Sequence, residues 1–307
     1  MLPNTDPTMK PLPPVEWTDL PMDRLLELET LAPGQFRNIP NDSNRNGRSY
    51  GGHSIAIALQ AASRTVPADR PASMLQFMFL KGVLPGVPVD YQVTSLQDGK
   101  RFSSRHIRAL QNGQAVLDAH ATFARPAPAD RLAHADAPPA DLPGPQASVR
   151  VTDLPPASAA ALEGLGSYSF AEKSCIEFRL PRPEQLAAPG GCNRFEFWMR
   201  ARSLPADDLH GQSVGLAYLS DWWINFPSLS AHIAGLQRSG DAIYVASLNH
   251  SIWFHRHHDP REWMLLACDS PRAVGGRGLA LAAVYDAQGG RVATISQECL
   301  MAARLDA

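Results

Sequence analysis

A surplus of charge, paired cysteines and long apolar runs are all missing from this 307-residue chain, and each absence excludes something. With 28 Lys and Arg against 30 Asp and Glu, the formal charge is −2, so no concentrated basic surface is expected and nucleic acid is not an expected partner. No apolar run is long enough to insert across a membrane, and the opening MLPNTDPTMKPLPPVEW lacks the basic-then-apolar pattern of a secretory leader. Cys175, Cys192, Cys268 and Cys299 form no Cys-x-x-Cys pair, which argues against a zinc or thiol redox centre and fits unpaired thiols in a reducing compartment. The final Leu305-Asp306-Ala307 is not the peroxisomal tripeptide, so a cytoplasmic location is expected. What is present, 44% hydrophobic and 19% charged residues, suits a globular fold.

The chain divides into similar halves. Residues 126–165 are rich in Pro, Ala and Asp, as expected of an extended, exposed connection between units spanning 20–125 and 166–307. Before the connection, GGHSIAIALQAASRTV predicts a helix and LQFMFLK, VDYQVTSL, FSSRHIRAL and AVLDAHATF predict strands. After it, LHGQSVGLAYLSDWW predicts a helix, followed by strands AIYVASL, SIWFHR, EWMLLACDS, GLALAAVYD and RVATISQECLMAA. The order repeats, and so does the spacing. Phe79 lies 34 residues before the hairpin glycine Gly113, and Phe254 lies 35 before Gly289. Two tandem α+β units are expected, each a long helix wrapped by an antiparallel sheet: a double hot-dog arrangement.

Three polar residues stand out against this pattern. Val214, Ala217, Tyr218 and Asp221 follow helical spacing, which places a carboxylate on an apolar stripe. Ser247 shares a strand face with Ile243 and Val245, and Gln297 with Ala293, Ile295, Cys299 and Met301. A buried carboxylate, hydroxyl and amide need partners, and together they can hold and activate water. The residue aligned with Gln297 in the first half is Ala121, so chemistry is expected in one copy only. Other motifs compete. Gly211-Gln212-Ser213-Val214-Gly215 has the Gly-x-Ser-x-Gly pattern, but PADDLH before it reads as a helix start rather than the strand that a nucleophile elbow requires. His255, His257, His258 and Asp259 resemble a metal cluster in composition, yet their spacing fits no standard ligand set, so neither metal nor cofactor is expected. The loop SNRNGRSYGGH could hold phosphate at a helix N-terminus, although its glycine pattern is common.

YGGHSIAIALQAA, FMFLKGVLPG, VTSLQDGKRFSSRHIRALQNGQAV, LAYLSDWW, VASLNHSIWFHR and TISQECLM together resemble the acyl-CoA thioesterase II family of double hot-dog enzymes. The resemblance implies thioester hydrolysis by activated water, with an acyl-CoA or acyl-carrier thioester as partner and a homo-oligomeric assembly. It places the water-activating roles on Asp221, Ser247 and Gln297. A backbone N–H near Gly52 or His53 is expected to stabilise the oxyanion, and Gln76 and Arg256 are expected to contribute to substrate binding. Arg48, Lys81 and Arg101 are further candidates for phosphate contacts. The chain departs from its relatives at Gln76, where histidine is usual, at His53 for glutamine, at Asn249 for aspartate and at Ser247 for threonine. A non-hydrolytic binder of acyl thioesters or carrier-bound intermediates therefore stays open as the alternative.

Overall fold

The structure is a computed structural model that describes residues 20–40, 42–43, 47–126, 133–163, 173–188, 191–232 and 243–303. The opening MLPNTDP, the last tripeptide, and parts of the SNRNGR loop and of the 126–165 stretch lie outside the described residues. The first half contains α1 (Met22–Leu25), β1 (Glu29–Ala32), β2 (Gln35–Asn38), α2 (Gly51–Ser63), β3 (Ala72–Phe79), β4 (Val89–Asp98), β5 (Phe102–Gln111) and β6 (Gln114–Ala124). Between the halves come β7 (Val149–Arg150) and α3 (Pro156–Glu163). The described part of the Pro- and Ala-rich stretch thus holds more regular structure than its composition predicts, because β7 pairs with the next strand at the sheet edge. The second half contains β8 (Ile176–Leu180), β9 (Arg194–Ala201), α4 (Leu209–Leu219), α5 (Phe226–Ser230), β10 (Ile243–Phe254), β11 (Met264–Val274), β12 (Arg277–Asp286) and β13 (Arg291–Ala303).

These strands form one 13-stranded antiparallel sheet in the order β1-β2-β4-β5-β6-β3-β10-β13-β12-β11-β9-β8-β7. The halves meet where β3 pairs with β10, from Met74–Trp253 through Gln76–Ser251 to Met78–Asn249. This register is symmetric about the Gln76–Ser251 pair, so one copy maps onto the other by a half-turn. The sheet curls around α2 and α4, which pack against each other. α2 is buried almost all round, which its run of small and apolar residues permits: Ile55, Ala56, Ile57, Ala58 and Leu59 are fully enclosed. α4 begins where Asp208 accepts the Gly211 N–H at 2.7 Å, satisfying one of the unpaired donors of the first turn.

Two details depart from simple periodicity. α4 ends at Leu219, not at the tryptophans, and Trp223 turns the chain with a positive φ of 55°. IYVASL and SIWF, from the two segments expected as separate strands, are parts of the single strand β10, interrupted by a bulge between Ser247 and Asn249. The same bulge occurs in β3, between Ala72 and Met74. A bulge inserts one residue and exchanges the two faces of the strand beyond it.

A buried ion pair ties the halves together below α4. Lys173 Nζ donates to Asp42 Oδ1 and, at 3.1 Å, to the Tyr218 hydroxyl, which itself donates to Asp42 Oδ2 at 2.7 Å. The ammonium lies 5.0 Å from the Tyr50 ring centroid and 5.4 Å from that of Trp222. Burial pulls Lys173 below the usual lysine range, and the Asp42 charge opposes that shift. Removing one partner of such a pair leaves a buried, uncompensated charge. Asp42→Ala is expected to lower unfolding stability by roughly 3 kcal/mol or more in urea titrations, whereas the double change Asp42→Leu, Lys173→Met recovers most of the loss.

Candidate active site

The carboxylate of Asp221 lies at the C-terminal end of α4, in the turn just past its last residue rather than on the helical stripe. The α2 N-terminus meets it from the other half. A Cβ on Gly51 would overlap Asp221 Oδ2 and would sit 3.2 Å from the Phe79 ring, so only glycine fits there. α2 has no acidic residue in its own first turn, and Asp221 supplies the anion that a helix N-terminus favours. The Gly52 N–H donates to that carboxylate.

From the sheet side, Gln297 Nε2 donates to Asp221 Oδ1 at 2.7 Å and to Ser247 Oγ at 2.9 Å, and the Ser247 hydroxyl donates to the same Oδ1 at 3.2 Å. The three anomalous residues therefore share one hydrogen-bond cluster. Burial is the largest influence on Asp221 and raises its pKa. The donors Gln297, Ser247 and Gly52 oppose burial, and the outcome is about 6. The residue as a whole is half-buried.

Behind Gln297 stands a residue that alternation hid. His250 is fully buried, with Nδ1 against Gln297 Oε1 and Nε2 2.9 Å from Ser220 Oγ. Strict two-residue periodicity would put Ser247 and Asn249 on one face and His250 on the other. The bulge lets Ser247 pair with Cys299 and His250 with Gln297, so both point inward. A carboxylate cannot donate, so the Gln297 NH2 must face Asp221 and its oxygen must face His250. His250 then carries its proton on Nδ1. Burial lowers its pKa to about 4, which keeps the ring neutral. Asn225, at the start of α5, is the other addition: its Nδ2 lies 3.5 Å from Ser247 Oγ, and its buried Oδ1 has no partner among the described residues.

Other expected residues are placed elsewhere. Gln76 is exposed on the outer face of β3, flanked by the buried Leu75 and Phe77, so the strand's alternation points it away from Asp221. His53 is a core residue. Its Nε2 lies 2.9 Å from Leu25 O and its backbone N–H bonds to Tyr50 O at 3.1 Å, so neither group is available to an oxyanion. The Gly52 N–H belongs to Asp221, leaving Gly51 as the neighbouring donor. Arg256 pairs with Asp286 past the far end of β10. Lys81 donates to Gln114, Arg101 lies over the Phe102 ring, and Arg48 packs on Gly82. Ser213 sits inside α4 and donates to Leu209 O at 3.0 Å, which removes the nucleophile-elbow reading. Among the described residues one cluster could offer three metal-ligand atoms, His106, Asp118 and His120, and it occupies the outer face of the first half.

Comparison with known proteins gives the family and the fold. The sequence profile for the acyl-CoA thioesterase N-terminal domain matches residues 39–124, and that for the C-terminal domain matches residues 135–301. The chain belongs to the acyl-CoA thioesterase family, and its fold is the double hot-dog. It is 30% identical to mouse acyl-coenzyme A thioesterase 8 over 282 residues, covering 89% of this chain and 86% of the relative. It is 29% identical to Haemophilus influenzae acyl-CoA thioesterase 2 over 286 residues, covering 90% and 95%. Among solved structures, acyl-CoA thioesterase II TesB2 from Mycobacterium marinum superposes with a TM-score of 0.70 at 27% identity, covering 93% of this chain and 98% of that one.

Because the Asp221 pKa is raised in the folded protein, folding is favoured at low pH and loses that contribution as pH rises toward about 6. Asp221→Asn removes this dependence. Between pH 4 and pH 8, the stability difference is expected to move in the variant's favour by on the order of 2 kcal/mol. Urea unfolding at both pH values checks it, and an offset that does not change with pH counts against the assignment.

Proposed function

We propose that the chain hydrolyses acyl-CoA thioesters with Asp221 as general base, acting on water without a covalent enzyme intermediate. The observation that carries this reading is the convergence of Gln297 and Ser247 on one oxygen of a carboxylate whose pKa is raised to about 6. Their donors hold Oδ1, leaving Oδ2 to accept a proton from water while the water oxygen attacks the thioester carbon. Asn225 Oδ1, buried and unpartnered, is the acceptor we assign to the second water hydrogen. The Gly51 N–H, at the positive end of α2, is the donor we assign to the oxyanion. Collapse of the tetrahedral intermediate then expels the thiolate, which takes up the proton held by Asp221, so that acid and coenzyme A leave and the base is restored. His250 acts through Gln297: it fixes which end of the amide faces Asp221.

A binder without hydrolysis is disfavoured by this site. Holding an acyl chain requires no buried carboxylate with converging donors, and such a group is retained at a cost in stability. Several finer readings extend the proposal. Met78, Trp253, Leu279 and Leu281 lie exposed on the outer face, which supports a homo-oligomer formed sheet to sheet. Four free cysteines, three of them buried, support a reducing compartment such as the cytoplasm. No helix among the described residues is long and apolar enough to cross a membrane.

Release of free thiol from acyl-CoAs of graded chain length tests the central reading. Asp221→Asn and Gln297→Ala are expected to lower kcat by about a hundredfold or more. For the wild type, kcat/KM rises with pH through about 6 and then levels, since the base works only when deprotonated. Gly51→Ala, which drives a methyl into Oδ2, is expected to abolish turnover while leaving the fold intact by circular dichroism. Undiminished thiol release by Asp221→Asn refutes the mechanism.

A further inference from the structure

The half-turn that relates the two copies also locates the mate of the active site. Ser247–Cys299 corresponds to Ala72–Phe123, and His250–Gln297 to Leu75–Ala121, with the same bulge between them. The hydroxyl, imidazole and amide are all gone. In their place Arg105, the cross-strand partner of Ala121, is buried and donates to Thr65 Oγ1 at 2.8 Å and to Asp98 at 2.9 Å.

Chemistry has left the mate, but space has not. A cavity of about 390 Å³ lies there, walled in part by Ala72 and by Phe254, the counterpart of the Phe79 that packs on Gly51. Its lining brings together Arg101, Arg125, Arg256, His255, His257 and His258, with no carboxylate among the described residues. Arg125 and Arg256 are anchored from behind by Asp69 and Asp286, while Arg101 has no acidic partner among the described residues. Among the described residues, His258 Nε2 is buried without a partner, as are both ring nitrogens of the neighbouring His210. Buried polar atoms left open in this way are satisfied by water or by a ligand. Phe102, 51% exposed beneath Arg101, adds a flat apolar surface.

We propose that this cavity is a second ligand site, which takes the phosphorylated nucleotide end of coenzyme A. Arginine forks and imidazoles match phosphate oxygens, an aromatic face matches a base, and the volume lies in the range of small-molecule sites. The choice of coenzyme A over other organic phosphates rests on the thioesterase reading. The cationic cavity does not.

Calorimetric titration with coenzyme A and with pantetheine, which has the same thiol but no nucleotide or phosphate, tests the site directly. The wild type is expected to bind coenzyme A at least about tenfold more tightly, and Arg101→Ala or His258→Ala to bring coenzyme A close to the pantetheine value. Both variants should melt as the wild type does. Equal affinity for the two ligands, or unchanged coenzyme A binding by both variants, overturns the proposal. Kinetics then identify the source. If the cavity holds the substrate's own nucleotide, Arg101→Ala raises KM for acyl-CoA but not for acyl-pantetheine, at unchanged kcat. If it holds a separate coenzyme A, KM stays constant and only the part of the inhibition by added coenzyme A that does not compete with substrate is lost. Tight coenzyme A binding with no turnover of any thioester would refute the hydrolase reading and leave this site standing.

Discussion

Everything in this molecule follows from the pairing of β3 with β10. Five cross-strand pairs, from Met74–Trp253 to Met78–Asn249, join two meanders into one sheet and set the copies half a turn apart. That relation fixes how the helices meet: the N-terminus of α2 is brought to the C-terminal end of α4. The carboxylate, hydroxyl and amide come from the second half and the glycines from the first. Neither copy contains the site alone. The buried Lys173–Asp42 pair serves the same junction, because Tyr218 and Tyr50 flank the two helix ends that meet at Asp221.

Within the site, opposing influences act on one carboxylate, and burial is the larger. Burial favours the neutral acid, and three donors favour the anion. A stronger set of donors would make Asp221 a poor base; a drier setting would keep it protonated at neutral pH. Ser220, His250 and Gln297 form a line behind the carboxylate, and it presents the amide one way round. His250 is fully buried on the regular strand β10, which suits a group whose orientation matters.

Much of this was legible before any coordinates. The paired hairpin glycines revealed the repeat, and polar residues on apolar faces revealed Asp221, Ser247 and Gln297. Asp221 was reached by an imperfect route, since the helix stops two residues earlier and the apparent stripe continues into a turn. His250 was hidden because a bulge leaves no mark in the alternation of residue types, and it looked outward until β10 was seen to change faces. Gln76 failed in the opposite way: resemblance drew attention to a position that plain alternation turns outward. β8 and β9 escaped because charged residues interrupt their apolar runs. Glu177 is nevertheless buried, held by Arg179 and Arg200, a pairing between strands that no local pattern reports.

Arg105 gives the duplication a direction in time. Restoring a glutamine at position 121 would not revive the mate, since the guanidinium opposite it is tied to Thr65 and Asp98. Removing the arginine first would strand those partners before any benefit appeared. The route back therefore passes through less stable intermediates, and the two halves are no longer interchangeable: an exchange between them carries a cost set by the order in which its substitutions are made.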